Sequence, residues 1–148
     1  MIQKVEIGSN TSIGINAFYY CYSLASITIP SGVTSISGSA FASCFSLASI
    51  TIPSGVTSIS DNAFNNCYSL ASITIPSGVT SIKNSAFQNC YGLGYIKFER
   101  TTPPTVSNSN AWNNIPTDCK IYVPRASLNT YKSATNYPSS STYTYVGY

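Results

Sequence analysis

The stretch Ser23–Ile36, SLASITIPSGVTSI, occurs three times letter for letter, again at Ser46–Ile59 and at Ser69–Ile82. The spacing is 23 residues, and repeats of about 20 to 50 residues indicate a solenoid or a propeller. A propeller blade needs about 40 residues or more. The period therefore favours a solenoid in which each repeat is one turn of the chain.

Apolar residues recur at the same place in every repeat, beyond the identical blocks. The recurring columns are Leu24, Leu47, Leu70 and Leu93; Ile27, Ile50, Ile73 and Ile96; Ile13, Ile36, Ile59 and Ile82; Phe18, Phe41, Phe64 and Phe87; and Cys21, Cys44, Cys67 and Cys90. A single turn cannot bury its own apolar side, so neighbouring turns must complete the core.

Each repeat contains one clear strand pattern. Ser26 and Thr28 alternate with Ile27 and Ile29, which predicts a short parallel strand with one buried face. Pro30 has no N–H to donate, so we expect the ladder to end there. Further along the repeat, residues 62–67 are long enough for about one helical turn that buries one face.

The period also divides the chain. We expect a single domain with about five coils of 23 residues, made of short parallel strands and short helical turns, plus a C-terminal cap. The expected parts are an irregular first coil at 1–22, regular repeats at 23–98, a last coil with a two-residue insertion at 99–124, and the cap at 125–148. Within the cap, 126–134 predicts a short amphipathic helix and 142–148 a final strand.

The pattern L-x-x-I-x-I-P followed by A-F-x-x-C resembles the BspA-type leucine-rich repeats. Thr101–Pro104, Ile121–Pro124 and Leu128–Lys132 look like that family's usual C-terminal end. The resemblance implies an α/β leucine-rich-repeat solenoid from a bacterial or protist surface protein that adheres to host matrix proteins or to other cells. An extracellular or cell-surface location is implied by the resemblance alone, because Met1–Ser9 has no apolar core of a signal peptide.

The sequence argues against an enzyme. With no His, neither a Ser-His-Asp nor a Cys-His nucleophile can be assembled. Among the four carboxylates, Glu6 and Asp61 lie more than two coils apart, too far for an acid/base pair at roughly 4.8 Å per strand. Glu99 and Asp118 fall in neighbouring coils and could approach each other, but both lie at strand edges near Arg100 and Lys120, where solvated ion pairs with these bases are the simpler interpretation. No phosphate-binding glycine motif occurs, so we expect no cofactor.

Cysteines in register suggest either a metal ladder, a chain of disulfides or an inert buried column. Zinc needs paired ligands on knuckle-like turns, which equal spacing does not offer. Free Cys commonly behaves as a small core residue. We therefore predict a buried column without metal, and place Cys119, out of register, in the cap.

The outward side of the strands is the largest regular surface, and two side chains break its pattern of hydroxyls. The candidate partner-binding residues are Ser26, Thr28, Ser49, Thr51, Ser72, Thr74, Tyr95 and Lys97. Tyr gives a large contact area and a hydroxyl at low entropic cost, so we centre the site on Tyr95 and Lys97. The alternative is that the Ser and Thr rows merely suit an exposed sheet.

A second aromatic row follows the cysteines, formed by Tyr22, Phe45, Tyr68 and Tyr91. It is either an exposed strip for a carbohydrate or protein, or packing beneath the strand, which its core-like period favours. Basic residues gather in the last third: Lys97, Arg100, Lys120, Arg125 and Lys132. They indicate either a solvated basic cap or a site for acidic glycans or acidic protein segments.

Two functions remain. The first is a non-catalytic adhesion module that presents its strand face to a protein or glycan of a host or neighbouring cell. The second is a structural spacer with no ligand of its own. Ice binding by Thr rows is disfavoured, because Ser replaces Thr at half of the positions. A net charge of +3 does not argue for nucleic acid, and no apolar run is long enough for membrane insertion. Exposed strand edges favour end-to-end self-association.

Overall fold

The computed structural model describes residues 4–8 and 11–148 of the chain. The chain winds into a parallel-strand solenoid of about six turns. One wall is built from the first strand of each turn: β1 (Lys4–Glu6), β3 (Ser26–Thr28), β5 (Ser49–Ile50), β7 (Ser72–Ile75), β9 (Tyr95–Phe98), β11 (Lys120–Val123) and β12 (Thr144–Gly147). The second wall contains β2 (Ser12–Ile13), β4 (Ser35–Ile36), β6 (Ser58–Ile59), β8 (Ser81–Ile82) and β10 (Thr105–Val106).

The stacked fold predicted from the period is confirmed. Ile27 is the register partner of Ile50, and Ile73 of Ile96, so equivalent residues of successive turns lie side by side. The stack has about six turns where the repeats predicted about five. The cap lengthens it, because β12 pairs in parallel with β11.

The core lies between the two walls and contains the apolar columns. Leu24, Ile36 and Val56 are buried, as are their counterparts in neighbouring turns. One aromatic ring per turn forms a central stack of Phe18, Phe41, Phe64, Phe87 and Trp112, with successive centroids 5.2, 5.4, 5.4 and 5.5 Å apart and nearly parallel planes. Each turn therefore covers the apolar rings of its neighbours, as the repeat pattern requires.

The segment between the walls differs from the prediction. Residues 62–67 form consecutive turns instead of a helical turn, because Asn62 and Asn66 have φ of 57° and 60°, whereas a helix needs φ near −63° throughout. The backbone N–H groups alternate in their partners: Asn65 donates within its own turn to Asn62, while Phe64 donates to Ala86 of the next turn. These amides therefore tie the turns together.

Among the described residues, helical structure occurs only from Ser109 onwards. The equivalent segment of the last coil is a 3-10 helix, Ser109–Trp112, and a second 3-10 helix, Arg125–Ser127, leads into α1 (Leu128–Lys132). The predicted cap helix and final strand are thus confirmed as α1 and β12. Within the described part of the chain, no helix has the length and apolar character to cross a membrane.

The cap closes the core with aromatic side chains whose polar atoms are satisfied. The buried Tyr131 hydroxyl donates to the Arg100 carbonyl oxygen at 2.7 Å. Tyr137 donates to Pro104 at 2.8 Å, and the Trp112 indole N–H donates to the Asn136 carbonyl at 3.0 Å. Rings of this kind cover apolar surface and hold the cap through hydrogen bonds.

Candidate functional site

The cysteine column lies inside the stack, as predicted. Cys44, Cys67 and Cys90 are fully buried and Cys21 is half-buried. Burial raises the pKa of Cys90 to about 12, and burial together with the nearby Cys21 raises the pKa of Cys44 to about 12. A buried neutral thiol is a poor nucleophile. Among residues 4–8 and 11–148, no group of three or more His, Cys, Asp and Glu side chains is placed to hold a metal ion.

The strand face places most of the predicted site residues in rows that run across successive strands. Ser72 pairs in register with Tyr95, and Thr74 with Lys97. The rows continue on β11, where Lys120 is the partner of Tyr95 and Tyr122 the partner of Lys97. Two serine and threonine rows thus end in a block of alternating tyrosine and lysine.

The first wall is interrupted between β5 and β7. Strands β1, β3 and β5 form one ladder, and β7, β9, β11 and β12 form another, whereas the five strands of the second wall are continuous. A groove of about 400 Å³ lies at the interruption. Four predicted residues line it, namely Ser49, Thr51, Ser72 and Thr74, and Glu99 adds a carboxylate. Ser26 and Thr28 lie one turn away on β3, outside this groove.

The predicted centre of the site belongs to a second depression, of about 290 Å³, lined by Tyr95, Lys97, Tyr122 and Tyr148. We call these four residues the aromatic–lysine cluster. The Tyr95 and Tyr122 rings meet edge to face, with centroids 5.6 Å apart and planes at 89°. The Lys97 ammonium nitrogen lies 4.4 Å from the centre of the Tyr148 ring, within the range of a cation–π contact.

Tyr122 and Tyr148 were missed by the sequence analysis. Tyr122 had a usable signal, because I-Y-V-P repeats the I-x-I-P pattern and places Tyr122 in the row of Lys97. Tyr148 had none, because it reaches the cluster through the irregular cap. Its hydroxyl donates to the Phe98 carbonyl oxygen at 3.0 Å, which fixes the ring beside Lys97.

The three tyrosines of the second aromatic row are exposed and Phe45 is half-buried, so the prediction that the row packs beneath the strand is wrong. Tyr22 and Tyr91 are 62% and 55% exposed, and Tyr68 is also exposed. Each of these residues directly follows a cysteine and lies in a turn, which is closed where the Leu70 amide donates to the Cys67 carbonyl at 3.2 Å and by equivalent bonds in the other repeats. The rings stack on one another outside the core: Phe45 and Tyr68 are nearly parallel with centroids 4.8 Å apart, and Tyr68 and Tyr91 are 5.3 Å apart.

Known proteins that resemble this chain are leucine-rich repeat proteins or share its fold. The family described as BspA type leucine rich repeat region matches residues 1–136 in six copies. The pneumococcal vaccine antigen PcpA has a similar fold, with a TM-score of 0.77, 16% identity, and coverage of 99% of this chain and 42% of that one. A leucine rich repeat protein of T. pallidum gives a TM-score of 0.55 at 25% identity, covering 64% of this chain and 58% of the other.

The chain thus spans about half the length of these two structures. No curated protein matches it. The family match extends over nearly all of the chain, and the repeats that it finds are the turns of the solenoid described above. The chain therefore belongs to the BspA-type leucine-rich repeat family.

Proposed function

We propose that the chain is a non-catalytic binding module of a bacterial surface protein. It presents the strand face of its first wall to a protein or glycan of a host or neighbouring cell. The observation that carries the proposal is the aromatic–lysine cluster, a group of unlike side chains at the end of an otherwise repetitive polar face.

The composition of the cluster suits recognition. Tyr95 and Tyr148 are 41% and 48% exposed, which leaves ring surface open to a partner, while the Tyr148 hydroxyl is bonded to the Phe98 carbonyl. Tyrosines are enriched in protein interfaces because they supply apolar contact area and a hydrogen-bonding group together. Membership of a family of surface proteins supports the location outside the cell.

Saturable binding to immobilised extracellular-matrix and cell-surface material tests the proposal. We expect Tyr95→Ala and Lys97→Glu to weaken binding, because both remove side chains that line the cluster depression. Lys83→Glu is the matched control, since it changes the charge equally at an exposed position beside β8 on the second wall. Unchanged binding in both cluster variants would remove this site.

A structural spacer is the second candidate, and one observation favours it. The outward-facing positions on either side of the first isoleucine carry the same Ser and Thr pair in the first three regular repeats, so this part of the face repeats one pair of polar groups. A spacer predicts no saturable binding to any matrix or cell-surface preparation. It also predicts that a whole 23-residue repeat can be duplicated without loss of folding.

A further inference from the structure

We infer that the aromatic–lysine cluster, together with Lys120, binds an extended acidic peptide in which every second residue carries a carboxylate. The inference rests on the proposed binding function and names the class of partner. It is carried by the placement of two lysines and three tyrosines on the exposed side of β9, β11 and the residue that follows β12.

The lysines and tyrosines alternate in both directions on this face. Lys120 pairs with Tyr95, and Tyr122 pairs with Lys97, so the two lysines occupy one diagonal and the two tyrosines the other. Neighbouring strands lie roughly 4.8 Å apart, and residues two apart on a strand are separated by roughly 6.7 Å. The lysine backbones are therefore separated by roughly 8 Å across the diagonal.

The local charge is positive. The two exposed rows, followed from β9 to β12, contain Lys97 and Lys120 and no acidic residue; their other members are Tyr95, Thr144, Tyr122 and Val146. Two carboxylates lie two residues along the chain from these lysines, that of Glu99 from Lys97 and that of Asp118 from Lys120. Glu99 lines the neighbouring groove, and neither carboxylate is among the residues that line the cluster depression. A ligand with carboxylates complements this charge pattern.

Lys97 is held in place before a ligand arrives. Its ammonium nitrogen rests over the Tyr148 ring, and that ring is fixed by the hydrogen bond from its hydroxyl to the Phe98 carbonyl. The Tyr148 backbone N–H also donates to the Val123 carbonyl at 3.1 Å. A positioned lysine loses less side-chain entropy on binding, which favours a specific contact over diffuse attraction.

The spacing favours a peptide. In an extended peptide, side chains two residues apart emerge on the same side, roughly 6.7 Å from one another. That interval is close to the diagonal between the two lysines, so carboxylates at alternate positions reach both ammonium groups. The peptide residues between the carboxylates face the solvent or the tyrosine rings.

The ring geometry disfavours a sugar. A saccharide stacks on an open aromatic face, but the Tyr148 face is covered by the Lys97 ammonium group. In the edge-to-face pair of Tyr95 and Tyr122, the face of one ring is covered by the edge of the other. Ring edges and the hydroxyl groups of Tyr95 and Tyr122 are suited to contacts with peptide backbone and side chains.

Two capped peptides of equal length and composition test the inference. One repeats Glu-Gly-Glu-Gly and carries carboxylates at every second position; the other repeats Glu-Glu-Gly-Gly and has no two carboxylates two residues apart. We expect the alternating peptide to bind at least about fivefold more tightly in calorimetric titration, with affinity falling as salt is added. Polyglucuronate, an acidic polysaccharide, is the third probe.

Variants identify the site. We expect Lys97→Glu, Lys120→Glu and Tyr95→Ala each to weaken binding of the alternating peptide about tenfold or more, since each removes one side of the diagonal pattern. Lys83→Glu carries the same charge change outside the face and is expected to bind as the wild type does. Circular dichroism spectra verify that every variant is folded.

The outcomes separate this inference from the proposed function. Equal affinity for the two peptides, or an equal loss in Lys83→Glu, overturns the inference because charge alone would then explain binding. Binding of polyglucuronate without the peptides also overturns it, yet leaves a glycan-binding module standing. If no probe binds while Tyr95→Ala weakens binding to matrix material, the inference falls and the proposed function remains. Absence of any matrix binding removes the proposed function itself.

Discussion

The Sγ of Cys67 donates a hydrogen bond to the carbonyl oxygen of Phe41, 3.2 Å away and 26 residues earlier in the chain. The same carbonyl accepts the backbone N–H of Cys44 within its own turn. One oxygen therefore closes a local turn and joins it to the next. The bond recurs one level on, where the Cys90 thiol donates to Phe64 at 3.2 Å.

Because of this thiol column, we expect the free energy of unfolding to decrease at alkaline pH. Burial raises the pKa of Cys44 and Cys90 from the ordinary 9.0 to about 12, so the folded state keeps protons that the unfolded state releases. The stabilisation is complete below pH 9.0 and is lost as pH rises towards about 12, by at most about 1.4 kcal/mol per pH unit for each thiol. We expect the urea concentration at the midpoint of unfolding to decrease as the pH is raised from about 8 to about 10.

The Cys90→Ala variant is the control for that measurement. It lacks one titrating thiol, so we expect its urea midpoint to fall less steeply over the same pH interval. A wild-type midpoint that rises or stays constant above pH 9 would contradict the assignment of these thiols to the core.

Two glycines with the same neighbours in sequence test the packing of the turns. A Cβ at Gly78 would lie 2.6 Å from the Ser54 carbonyl oxygen of the preceding turn, whereas a Cβ at Gly32 would meet no atom of the described residues within 4 Å. We expect Gly78→Ala to lower the free energy of unfolding by about 1–3 kcal/mol through overpacking. Gly32→Ala should be neutral or stabilising by about 0.4–1 kcal/mol. Equal shifts in urea midpoint for the two variants would refute the close approach at Gly78.

Side-chain hydrogen bonds join Asn66, Asn89 and Asn114 of successive turns into a ladder. This asparagine ladder predicts an unusual order of stability for two variants of Asn89. Asn89 has a φ of 62°, donates from Nδ2 to Asn66 Oδ1 at 2.7 Å, and accepts from Asn114 Nδ2 at 2.7 Å. Asn89→Gly keeps the left-handed backbone but loses these two bonds and a third, which Oδ1 accepts from the Tyr91 hydroxyl at 3.3 Å. We expect the free energy of unfolding to fall by about 1–3 kcal/mol. Asn89→Ala loses the same bonds and keeps a Cβ in that conformation without the polar side chain that lets Asn tolerate it, so we expect it to be about 1–2 kcal/mol less stable than Asn89→Gly.

Denaturant unfolding of the two Asn89 variants gives the comparison. Glycine usually destabilises relative to alanine, so a more stable glycine variant is diagnostic of the left-handed turn. An alanine variant as stable as the glycine variant would show that the turn relaxes when the side chain is lost.

The exposed aromatic row contributes to stability although it lies outside the core. Tyr68 stacks between Phe45 and Tyr91, and each aromatic pair contributes about 0.5–1.5 kcal/mol beyond its buried area. We expect Tyr68→Ala to lower the free energy of unfolding by about 1–3 kcal/mol. Tyr22→Ala, at the more exposed start of the row, should change it by less than about 0.5 kcal/mol. Similar losses in both variants would show that the stack has no special role.

Repetition made the core predictable. Ile27, Ile50 and Ile73 each recur at the period, and a stack is the arrangement that buries such a column. Left-handed turns were overlooked, although Asn at 62, 66 and 89 was the available signal, since Asn tolerates positive φ better than most residues. A helical turn was predicted there from the length and the Phe64–Cys67 spacing alone.

The interruption of the first wall was beyond sequence analysis. Identical residues occupy Ser46–Ile59 and Ser69–Ile82, yet β3 pairs with β5 while β5 does not pair with β7. Local sequence is the same on both sides, so it cannot specify where the ladder parts. For the same reason, the groove between Thr51 and Thr74 could not be predicted from the repeats.

The unequal continuity of the two walls has a mechanical consequence. Ladder pairing continues through all five strands on one side, whereas on the opposite side it is missing between Ile50 and Ile73, where the Ala71 amide still donates to the Ala48 carbonyl at 3.1 Å. A solenoid joined in this way bends most easily about its second wall, where the strand ladder is continuous. Flexing would then open or narrow the parted side and vary the distance between the two halves of the polar face.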